Sequence, residues 1–68
     1  MLIANPVQDV LHIKLEASIE RIEIYNMAGQ RIKVLETQER TVSDLAKGMY
    51  LMTPTTDKGT VTEKIIKE

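Results

Sequence analysis

Apolar and polar residues alternate along much of this chain. Leu11, Ile13 and Leu15 alternate with His12, Lys14 and Glu16, the period-two signature of a strand with one face buried. Ile22 and Ile24 alternate in the same way with Arg21, Glu23 and Tyr25, and Ile32 and Val34 with Arg31 and Lys33. Met49-Tyr50-Leu51-Met52-Thr53 is a continuous apolar run, and Val61 to Ile66 is rich in β-branched residues. Val61, Ile65 and Ile66 would also fit one helical face, but Thr60, Val61 and Thr62 disfavour a helix. The pattern is that of strands.

Two turns join them. Asn26-Met27-Ala28-Gly29 has Asn first and Gly fourth, as a type I turn prefers, and Gly29 can take the left-handed conformation that closes a hairpin with a bulge. Thr56-Asp57-Lys58-Gly59 repeats that logic. The expectation is two hairpins, residues 19–25 with 30–35 and 49–55 with 60–66, and an Asn5-Pro6 turn before the first strand. Pro54 interrupts the apolar run. Proline removes a backbone donor and is confined to edges, strand ends or bulges. Either the strand ends near Thr53, or the donor side at Pro54 faces no partner.

Asp44-Leu45-Ala46-Lys47-Gly48-Met49-Tyr50 sets a Leu, a Gly and a Tyr before a strand. Immunoglobulin-like sandwiches use such a turn to place a Tyr whose hydroxyl bonds back to upstream backbone. Leu45 would plug the core, Gly48 would take the tight backbone and Tyr50 would pin the corner. The fold expected is all-β, a small antiparallel immunoglobulin-like β-sandwich of about six to seven short strands.

Composition narrows the function. With 68 residues the chain is one domain, residues 1–68, and a domain this small buries only roughly 60% of its unfolded surface. It cannot enclose a deep substrate cavity and still keep a core. There is no cysteine, so neither disulfides nor thiolate metal sites supplement that core. This absence suits the cytosol, and equally a module that must cross the periplasm. Nine Lys and Arg against ten Asp and Glu, interspersed, form no basic stripe, which argues against nucleic acid. Tyr25 and Tyr50 are too few aromatics for a base-stacking sheet. No apolar run approaches the roughly 20 residues of a membrane helix.

Catalytic chemistry finds no foothold. His12, the one imidazole, lies between Leu11 and Ile13 and should face solvent, away from the partners a general base needs. Ser18 and Ser43 sit in no nucleophile elbow. Asp44, Asp57 and Glu63 lack the spacing of a calcium loop. Three glycines are too few for a phosphate cradle, and the four methionines read as core filler. No catalytic residue, metal, cofactor or small-molecule substrate is expected. The C-terminal TVTEKIIKE offers two readings. Lys64 and Lys67 could guard an edge strand, or they could flank Ile65 and Ile66 in a signal presented to another protein.

Asn5-Pro6 with VLHIKL, then IEIYNMAGQRIK, DLAKGMYLM and TDKGTVTEKIIKE, in that order, closely resemble the type IX secretion system (Por secretion system) C-terminal sorting domain, type A. The resemblance spans almost the whole chain. It implies an immunoglobulin-like sandwich, excised from a larger secreted precursor, that directs an upstream cargo in cis through the outer membrane and is removed by a surface sortase. Implied partners are the outer-membrane translocon with its shuttle and sortase proteins. The implied location is the surface or medium of a Gram-negative bacterium, after passage through the periplasm. By resemblance, sorting motifs fall on Asn5, Pro6, Leu11 and Ile13, on Tyr25 and Gly29, and on Gly48, Tyr50, Lys64, Ile65, Ile66 and Lys67. The family usually carries an aromatic-proline pair before Asn-Pro, where this chain has Ile3-Ala4, and an apolar residue at Pro54. A weakened first strand would leave an edge open for a homodimer. The alternative reading is a free-standing β-sandwich adhesion or dimerisation module without a sorting role.

Overall fold

A computed structural model describes residues 2–3, 6–14 and 17–68; Asn5 of the expected turn, and Leu15 and Glu16 of the expected first strand, lie outside them. The strands are β1 (Leu2–Ile3), β2 (Ile13–Lys14), β3 (Ile19–Tyr25), β4 (Arg31–Glu36), β5 (Gly48–Thr56), β6 (Gly59–Thr60) and β7 (Glu63–Lys67). β1 and β2 form a two-residue antiparallel ladder, and the rest form one antiparallel sheet, β4-β3-β5, with β6 and β7 both on the far side of β5. The all-β antiparallel reading holds, and so do both hairpins.

The β3–β4 turn forms as its residues require. Asn26 Oδ1 accepts the Ala28 and Gln30 N–H groups, both at 3.0 Å, and Gly29 N–H donates to the Asn26 carbonyl. Gly29 has φ +87°, a conformation a Cβ disfavours. The turn is followed by a bulge. Tyr25 opposes Arg31, but Ile24 opposes Lys33, so Ile32 is the extra residue. A one-residue slip exchanges the two faces of a strand. The alternation expected for β4 is therefore inverted. Leu35 is fully buried opposite Ile22, whereas Ile32 and Val34 are exposed on the outer face at 42% and 37%. Lys33 turns inward and is held by Asp44 at 3.0 Å.

β5 continues through Pro54 to Thr56, turning Tyr50, Met52 and Pro54 to the buried face. Met52 opposes Ile24 and Pro54 opposes Ile22. In an antiparallel ladder the N–H and C=O of one residue point to the same neighbour. The Pro54 carbonyl accepts Val61 N–H at 3.4 Å, so the missing donor faces Val61 and Thr62, between β6 and β7. Thr55 pairs with Thr60 and Met52 with Glu63 in one unbroken register. β6 and β7 are thus a single return strand, interrupted where Pro54 has no hydrogen to give. Neither outcome expected at Pro54 holds as stated: β5 runs on to Thr56, and the donor side at Pro54 faces the return strand at Val61.

The Thr56–Gly59 turn also reaches across the sheet. Ser18 N–H donates to Asp57 Oδ1 and Asp57 N–H to the Ser18 carbonyl, each at 3.1 Å, which ties it to the start of β3. Beneath the sheet, Val7, Leu11 and Val42 complete a core with Ile22, Ile24, Leu35, Tyr50, Met52 and Ile65. His12 is exposed as expected. The methionines divide: Met52 is core, but Met27 and Met49 are 55% and 44% exposed, so core filler describes only one of these three. Their strand and turn positions point them away from the buried face.

The inverted phase of β4 is open to test by urea unfolding. Leu35→Ala should cost about 2–5 kcal/mol and Val34→Ala under about 1 kcal/mol. Equal costs at the two positions would contradict the bulge.

Candidate functional site

The expected site residues gather at one end of the sheet. Tyr25 opposes Leu51, so the Asn26–Gly29 turn lies toward the Gly48 end of β5. Gly48 opposes Lys67, Met49 opposes Ile66, Tyr50 opposes Ile65 and Leu51 opposes Lys64. Pro6 is exposed beside Val7, which makes a parallel bridge to Lys67. Asn5 lies outside the described residues. Gly29 joins this end through its turn but is paired with none of the others.

Gly48 and Tyr50 build the expected corner. The Tyr50 hydroxyl donates to the Ala46 carbonyl at 2.6 Å while its ring is buried. Gly48 has φ +152°, and Leu45 packs against the core with its N–H on the Val42 carbonyl. The bond closes the loop between β4 and β5 over the inner face. Asp44, set aside above as a calcium ligand, lies in the same loop and pairs with Lys33. The Lys33 ammonium holds its carboxyl below the ordinary range, and the charge of Lys67 acts in the same direction.

The pleat of β7 divides the terminal motif. Ile65 is 1% and Lys67 6% exposed, both on the inner face, whereas Lys64 and Ile66 are exposed on the outer face. Lys67 donates from Nζ to the Glu68 carbonyl at 3.1 Å. Ile65 and Ile66 therefore do not form one apolar pair presented to solvent. Strict alternation along the strand could have revealed this from the sequence.

Around Lys64 and Ile66 the outer face carries Met49, Leu51 and Tyr25. Tyr25 donates to Glu23 Oε2 at 2.7 Å, and Arg21 and Arg31 approach the same carboxylate at 3.1 and 3.4 Å. The Tyr25 hydroxyl first, and then Arg21, hold the Glu23 carboxyl below its usual range; the same bond raises the Tyr25 phenol. Such a network fixes side chains and offers no free nucleophile or base. Among the described residues no three Asp, Glu or His converge on a metal position. A groove of about 300 Å³ runs along Pro6–Val10 and His12, with no polar cluster beyond Gln8, Asp9 and His12.

Two substitutions check the corner by thermal or urea unfolding. Tyr50→Phe removes the bond to Ala46 and should cost about 1 kcal/mol. Gly48→Ala forces a side chain onto a positive φ and should cost about 1–3 kcal/mol, although open space surrounds the position. Parent stability in both variants would contradict the corner.

Against known proteins, residues 4–68 match a family model described as a secretion system C-terminal sorting domain, the Por secretion tail. No curated protein and no solved structure gives a significant match. The family match takes in the N-terminal segment, both hairpins and the Tyr50 corner in one span. This is a family of sorting signals, not of enzymes. The chain belongs to the Por secretion tail family, the C-terminal sorting domains of type IX secretion.

Proposed function

We propose that this domain is a non-enzymatic address, read as a folded surface, that carries an upstream cargo through the outer membrane by way of the periplasm and is then removed by a surface sortase. Membership of the family implies association with the type IX machinery, a cargo in cis, and a secreted or cell-surface destination. The observation that carries the reading is the family match over residues 4–68. Residues 1–68 would then be one sorting domain cut from a longer precursor.

The geometry supports a division of labour among the motif residues. Lys64 and Ile66 are exposed beside Met49 and Leu51, so a cation and an apolar strip are available to a receptor. Ile65, Lys67, Gly48 and Tyr50 act through the fold, as core, strand and corner. Pro6 and Gly29 act by shaping the chain at the same end. Translocon, shuttle and sortase would meet the outer face of β7 and β5.

A dimerisation role has one observation in its favour. β4 ends the sheet order and carries Ile32 and Val34 outward, a setting for strand addition by a second copy. Light scattering at high concentration would then give twice the chain mass; the chain mass alone rejects a homodimer.

Export of a periplasmic reporter fused ahead of residues 1–68 tests the sorting reading in cells that carry the machinery. Deleting residues 64–68 should abolish export. A Lys64→Ala, Ile66→Ala double variant should keep its melting temperature and lose export by at least about tenfold, near 1.4 kcal/mol of recognition. His12→Ala should export normally. Equal periplasmic reporter with and without the domain would reject the proposal.

A further inference from the structure

β7 has a second neighbour besides β5. Val7 N–H donates to the Ile66 carbonyl at 2.6 Å, and Glu68 N–H donates to the Val7 carbonyl at 2.8 Å. Both backbone groups of Val7 are therefore satisfied by residues 66–68, in a parallel bridge. The Val7 side chain is buried, as is Leu11 four residues on. The far end of the segment is held separately: Leu11 N–H donates to the Arg40 carbonyl and Val42 N–H to the Asp9 carbonyl, each at 2.8 Å. The first two bonds come from the outer edge of β7, the return strand of the second hairpin; the last two involve neither hairpin.

Buried backbone groups that lose their partners carry a large penalty. An extended partner that paired with residues 66–68 along this edge would take the groups that hold Val7. The segment between β1 and β2 would then have no backbone bond to the sheet at Val7. The hairpins, which carry most of the core, would keep theirs. Proteins open locally in such contiguous units, at free energies below global unfolding.

We propose that residues 66–68 are a clasp, which when closed holds the N-terminal segment on the sheet and when taken by a partner frees that segment while both hairpins stay folded. Resting on the sorting reading, this makes engagement of the terminal strand and exposure of the junction to the upstream cargo one linked event. Recognition at the C-terminus and cleavage ahead of the domain would be coupled through Val7.

Amide hydrogen exchange by NMR on the 68-residue chain tests the clasp without secretion machinery, so its failure is separable from failure of the export assay. The telling amide is Leu11, because its acceptor, Arg40, is untouched by any C-terminal change. Deleting residues 66–68 should speed Leu11 exchange at least about tenfold, while Ile22, Ile24 and Met52 stay within about threefold of the parent. Lys64→Ala, on the exposed outer face of the same strand, should leave Leu11 unchanged. If the three-residue deletion does not fold, deletion of Glu68 alone carries the test, with the same direction and a smaller effect. Parent exchange at Leu11, or loss of the hairpin amides together with Leu11 in both deletions, would overturn the clasp.

Discussion

The pairing of β3 with β5 is the constraint on which the rest depends. It sets Ile22 against Pro54 and Ile24 against Met52 on a face sealed from water. Burial of such side chains is the main favourable term available to a chain without disulfides. Once this register is fixed, β4 must place Leu35 beside Ile22, and β7 must place Ile65 beside Tyr50. The N-terminal segment and the loop after β4 then close the same face with Val7, Leu11 and Val42. A domain this small has little interior to spare, so each covering segment contributes core residues.

Two irregularities follow from that register. The bulge at Ile32 exchanges the faces of β4, which brings Leu35 into the core and Lys33 within reach of Asp44. Pro54 supplies apolar volume under the sheet and breaks the return strand into β6 and β7. The Pro54 break leaves β7 paired with the Gly48 end of β5, where it meets the Tyr50 corner. That end carries the residues on which the resemblance sets the late motif. Under the proposed function, fold and address would share residues, and variants such as Tyr50→Phe would affect sorting first through stability.

Much of this was legible in the residues themselves. Asn26 and Gly29 specify the turn of the first hairpin, and Leu45, Gly48 and Tyr50 specify a corner whose hydroxyl bond is present at 2.6 Å. The phase of β4 was not legible, because its own alternation favours Ile32 and Val34 inward. Only the pairing with β3 reveals that Ile32 is extra. The bridge between Val7 and Lys67 was hidden for a similar reason: it joins residues sixty positions apart through backbone atoms, which leave no mark on composition. At the candidate site, the resemblance treated Lys64 to Lys67 as one unit. The pleat separates them into two faces.

That separation is the central claim, and lysine reactivity measures it directly. An amine-specific reagent in brief contact with the folded chain, read by mass spectrometry, reports the exposure of each ammonium. Lys64 should be labelled at the rate of an open surface lysine, and Lys67 at least about tenfold more slowly, with the difference lost in urea. Equal labelling of Lys64 and Lys67 in the folded chain would contradict a divided terminal motif.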